Sequence, residues 1–138
     1  MRPQPAQARD EGSAVAEFAA VAGLLSLLFA AVVQLAVVQH VRATVADGAG
    51  EGARFGALRG NAPADGAQRT RDLLAASLSP RFARDVTARV VRVGTAPVVE
   101  VRVVAPLPVL GLLGPGGALT VHGHALVEAP AQGPAVGP

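Results

Sequence analysis

Residues 13–38 read SAVAEFAAVAGLLSLLFAAVVQLAVV, an apolar run with one charge, Glu17, and otherwise only Ser13, Ser26 and Gln34 as polar interruptions. At about 1.5 Å of rise per residue the run makes a helix roughly 39 Å long, more than a hydrocarbon core of about 30 Å requires. It therefore predicts a membrane span whose ends reach both interfaces. A carboxylate held in hydrocarbon costs on the order of 2 to 3 kcal/mol, which makes Glu17 a candidate functional residue. The helix N-terminus returns roughly 0.3 to 1 kcal/mol of that to a carboxylate in the first turn. The dipole thus explains why Glu17 is tolerated, but not why it is there.

The remainder of the 138 residues is enough for one small folded unit and too little for two. All 12 basic residues are Arg, and they are interleaved with 10 acids for a net charge of +2. No basic stripe of the kind a phosphate backbone requires results, so nucleic-acid binding is not expected. With no Cys there is neither a disulfide framework nor a thiolate site. Four Phe and no Trp or Tyr argue against an aromatic-lined pocket, and no small-molecule substrate is expected.

Residues 1–12, MRPQPAQARDEG, are polar and end in Gly12, and they read as a leader rather than a folded segment. The apolar core that follows is too long for an ordinary signal peptide. A small-x-small site at Thr44-Val45-Ala46 lies well past the last apolar residue. The junction EGSAVAEF places Gly12 before Ser13, Glu17 five positions after the Gly, and Phe18 directly after the Glu. That spacing resembles a prepilin, and the aromatic after the Glu resembles the Flp and Tad branch, specifically the TadE-like family of minor pilins or pseudopilins. The resemblance extends past the span to Gly50-Glu51-Gly52-Ala53-Arg54-Phe55-Gly56-Ala57-Leu58, similar to the A-x-E-G-A-R-aromatic-A segment of that family. It implies a cytoplasmic leader removed by a prepilin peptidase between Gly12 and Ser13, and an assembly role for Glu17 and Phe18. It further implies the cytoplasmic (inner) membrane as location, an extracytoplasmic C-terminal domain, and other pilins and Tad-type pilus assembly proteins as partners. The alternative is a single-pass signal-anchored protein with a small extracytoplasmic binding domain. Arg2 and Arg9 against Arg42, Arg54 and Arg59 leave the positive-inside count undecided.

Beyond the span the helical period continues through Leu35, Val38, Val41, Val45 and Ala49. Ala46, Ala49, Ala53 and Gly56 are expected to form a low ridge for close packing. Three glycines, Gly48, Gly50 and Gly52, each cost about 1 kcal/mol in a helix, so the helix is expected to bend or end between Asp47 and Leu58. Glu51 and Arg54 have the spacing of a solvated ion pair. Residues 59–66, RGNAPADG, read as a linker. Residues 67–78 read as a short helix with Leu73, Leu74 and Leu78 on one side.

Residues 86–93, 98–104 and 119–127 alternate at period two and read as three antiparallel strands. The first two are joined by Gly94-Thr95-Ala96-Pro97, with Val99, Val101 and Val103 on one face and Glu100 and Arg102 on the other. Residues 105–117 read as a wide loop with an apolar tip, and 130–138 as a disordered tail. His122 and His124 share a strand face, with Glu100 and Glu128 the only nearby acids, too few to predict a metal site. No phosphate loop or nucleophile elbow appears, so no enzymatic activity and no cofactor are expected. The fold class expected is α+β: a long N-terminal, partly transmembrane helix, then one helix on a three-stranded antiparallel sheet. The divisions are a leader at 1–12, span and stem at 13–58, a linker at 59–66, a domain at 67–129 and the tail.

Overall fold

A continuous helix, α1 (Gln7–Ala57), opens the computed structural model, which describes residues 7–107 and 117–128. Two shorter elements follow, α2 (Pro63–Ser77) and a 3₁₀ turn (Pro80–Ala83), then strands β1 (Asp85–Val93), β2 (Ala96–Pro106) and β3 (Ala118–Leu126). This is the α+β architecture expected from the sequence. The chain divides into two units, Met1–Val37 and Val38–Pro138.

In the first unit, α1 already includes residues 7–12, a correction to the reading of the whole leader as unfolded. Gln7 to Glu11 contain no breaker, and a lone glycine at position 12 costs a helix only about 1 kcal/mol, so helix propagates through the junction. From Gly12 onward the side chains are nearly all exposed, with Phe18 at 75% and Phe29 at 71%. Ser26 returns its hydroxyl to the Ala22 carbonyl at 2.8 Å, which removes an unpaired donor from an apolar surface.

In the second unit, α1 runs unbroken past Gly48, Gly50 and Gly52 to Ala57. The glycines do not end the helix because tertiary contacts outweigh their propensity cost. Val41, Val45, Gly48, Ala49, Gly52, Ala53, Gly56 and Ala57 form its buried side, while Ala46, expected on the ridge, is exposed. Against this low surface α2 closes with Gly66, Ala67, Thr70 and Leu74. A Cβ added at Gly52 would collide with the Thr70 hydroxyl and the Gly66 carbonyl, and one added at Gly66 would strike the Gly52 carbonyl. The two backbones therefore meet at a glycine pair.

The linker is shorter than expected, because α2 begins at Pro63 rather than at residue 67. Proline suits a helix's first turn, where its missing N–H has no partner to lose. Asp65 then caps from inside, accepting the Ala62 amide at 2.7 Å. After α2, the 3₁₀ turn buries Phe82 beneath Arg81, whose guanidinium lies 4.8 Å from the ring centre.

The sheet order is β1-β2-β3, both pairs antiparallel. Val93 pairs with Ala96, so the hairpin is a two-residue turn at Gly94-Thr95 and Pro97 lies within β2. Gly94 has φ of +62°, as the first central residue of a type II′ turn must, and only glycine adopts it readily. Val86, Val99, Val101, Val103 and Ala105 face the helices and join Val41, Val45, Ala49, Leu74 and Phe82 in one core. On β3, Gly123 lies so close to α1 that a Cβ would collide with the Ala49 backbone. The apolar tip near residues 108–116 and the tail at 130–138 lie outside the described residues.

Candidate functional site

Gly12, Ser13, Glu17 and Phe18 fall on two consecutive turns of α1. At the 3.6-residue period, Ser13 and Glu17 are one turn apart on one face, while Phe18 is rotated by about 100°. The Ser13 hydroxyl donates to Glu17 Oε1 at 3.3 Å, giving the carboxylate a partner within its own helix. Gly12 stands in open space, with nothing within 4 Å of a Cβ placed there. The four residues thus form an exposed helical surface, with a carboxylate on one side and an aromatic ring beside it.

Further along α1, Glu51 and Arg54 pair at 3.2 Å on the exposed side, as their spacing predicted. Between them, Gly52 and Ala53 serve the buried side. The E-G-A-R segment therefore does two things at once: its small residues admit α2, and its charges face solvent.

A second polar constellation lies on the sheet face turned away from the helices. The register places Arg89, Glu100 and His124 in one row across β1, β2 and β3, and Thr87, Arg102 and His122 in the next. Glu100 is the hub. Arg89 donates to its Oε1 from Nη2 at 2.8 Å and from Nε at 2.9 Å. His124 Nε2 lies 3.0 Å from Oε2 and must carry the proton, because an ionised carboxylate only accepts. His122 Nδ1 stands 3.7 Å from the same oxygen, too far for a hydrogen bond but near enough for an ion pair once protonated. The two imidazoles are nearly parallel, at 12° and 6.2 Å between centres. Under these side chains Glu100 is only 13% exposed, and the His124 hydrogen bond, followed by those of Arg89, holds its carboxyl below the usual range.

The sequence had set His122 and His124 beside both Glu100 and Glu128; the structure brings in only Glu100. Glu128 instead caps the end of α1, its amide donating to the Ala57 carbonyl at 3.1 Å and its carboxylate accepting the Arg59 amide at 3.4 Å. Among the described residues no group of three His, Cys, Asp or Glu is arranged to hold a metal ion. The part of Arg89 in the cluster was not anticipated, although alternation along both strands, once registered, sets it opposite Glu100.

Among the described residues one helix is long and apolar enough to cross a membrane, its most apolar window exposed, and with the small α+β unit after it this is the build of a membrane-anchored protein. Within that class, residues 12–54 match the family model of TadE-like protein, in agreement with the resemblance carried by the Gly12 junction and the E-G-A-R segment. No curated protein and no solved structure matches the chain.

Proposed function

We propose that the chain is a TadE-like minor pilin or pseudopilin, a structural or assembly component of a Tad/Flp-type IV pilus. The observation that carries this reading is the family match itself, which begins at Gly12, includes Glu17 and Phe18, and ends at Arg54. In this account the leader stays in the cytoplasm, a prepilin peptidase cuts between Gly12 and Ser13, and the sheet-bearing unit lies outside the inner membrane. The role is mechanical rather than enzymatic, and the partners are other pilins and Tad-type assembly proteins. Because α1 runs through the junction, cleavage needs it to open locally, and glycine is where a helix opens at least cost.

After cleavage the Ser13 α-amine becomes a cation one turn from Glu17. The carboxylate then attracts this amine, its own or a neighbouring subunit's, and fixes axial register. Between packed apolar helices such a pair is worth a few kcal/mol, against at most about 1 kcal/mol in water. The Ser13–Glu17 hydrogen bond favours the competing signal-anchor reading, in which Glu17 is merely satisfied within its own helix. Glu17→Gln separates the two, since the amide keeps shape and hydrogen bonding without charge. The expected result is normal insertion and normal cleavage, with loss of incorporation into the pilus or its initiating complex. Wild-type incorporation of both Glu17→Gln and Glu17→Ala would remove the assigned role.

A further inference from the structure

The sheet face turned away from the core is built differently from an ordinary solvated strand surface. Two guanidiniums, Arg89 and Arg102, stand there with two carboxylates, Glu100 and Asp85, and with His122 and His124. These are the charged and titratable groups that β1, β2 and β3 place on the central part of this face. Glu100 is occupied by Arg89 on one oxygen and by His124 on the other. Arg102, one row away, is exposed and has no carboxylate partner among the described residues. It lies between Thr87 and His122 in the register, and these residues, with Thr120, Arg89 and the Glu100 carboxylate, line an open depression of about 410 Å³.

We propose that this depression is an acid-gated oxyanion site, in which Arg102, Thr87, Thr120 and protonated His122 take up one carboxylate or sulfate group of an acidic partner. The chemistry follows from the donors present. A guanidinium offers a planar fork of N–H groups, the two hydroxyls rotate to suit, and an imidazolium adds a charge and a donor. With both imidazoles neutral, the two guanidiniums and two carboxylates balance, so the face draws in no anion by charge alone. Protonation of His122 and His124 adds up to two positive charges to the same surface. Because Glu100 is held by His124 and Arg89, its carboxyl stays ionised to below the ordinary carboxylate range and keeps those two groups in place.

The test uses the full chain in neutral detergent micelles, titrated with inorganic sulfate against chloride at constant ionic strength and followed by amide and side-chain NMR. At about pH 5.5 saturable shifts are expected at Thr87, Arg102, Thr120 and His122, with affinity about fivefold or more weaker at about pH 7.5, the effect of one unit charge at contact distance in water. Arg102→Gln abolishes the shifts, whereas His122→Gln leaves the weak binding and reduces its pH dependence. Unchanged amide positions for Val99, Val101 and Val103 establish that each variant is folded. Absence of saturable shifts, equal affinity at the two pH values, or full binding by Arg102→Gln overturns the proposal.

Discussion

Thr70 on α2, fully buried, shares its one hydroxyl proton between the Gly48 carbonyl of α1 at 3.1 Å and the Gly66 carbonyl of its own helix at 3.0 Å. A buried hydroxyl needs such a partner, and here the partner is the neighbouring helix backbone, which only residues as small as Gly48, Gly52 and Gly66 allow so near.

The two sides of this contact separate in mutagenesis. Thr70→Val keeps the shape and loses the hydroxyl, for an expected cost of about 1 kcal/mol. Gly52→Ala drives a methyl into Thr70 and the Gly66 carbonyl, for an expected cost of about 1 to 3 kcal/mol. Denaturant unfolding in neutral micelles reads both. A Gly52→Ala variant as stable as the parent contradicts the close crossing.

Glu100 supplies a pH signature of known sign. Its carboxyl titrates below the ordinary value of about 4.5 in the folded state, chiefly because of the His124 hydrogen bond and then Arg89. A depressed folded value means that the stabilisation is complete above the unfolded pKa and is lost as pH falls through the folded one. Unfolding stability is therefore expected to decline as acid is added below about pH 4.5, and Glu100→Gln should flatten that limb. An identical acid limb in the variant contradicts the assignment.

Much of this molecule was legible in its residues because the signals were of long range and strong. An apolar run that accommodates one carboxylate reads as a span, and alternating valines such as Val99, Val101 and Val103 read as one buried face of a strand. Boundaries were less legible where two local rules compete. The breakers of 59–66 include Pro63, which as readily starts a helix as ends one, and α2 begins there. α1 ends at Ala57, inside the expected range of 47–58, but Gly48, Gly50 and Gly52 read as a place to bend or end until α2 is placed, because their cost is local and the gain from close packing comes from a segment many residues away. The Glu100 cluster needed the register, which a one-residue slip would have turned to the opposite face.

Topology gives a further expectation. With the leader inside and everything after the span translocated, an alkaline phosphatase fused after Glu128 should be active and one fused at Arg9 inactive. The reverse pattern contradicts an extracytoplasmic sheet.

The central claim is that a peptidase converts the Gly12–Ser13 junction into a mature N-terminus one turn from Glu17. Intact-mass measurement of the membrane-extracted protein, from cells that contain a prepilin peptidase, tests it directly. The account predicts a chain beginning at Ser13, with MRPQPAQARDEG lost, and retention of the leader when Gly12 is replaced by a bulky residue. A native chain still beginning at Met1, or one trimmed near Asp47, contradicts it.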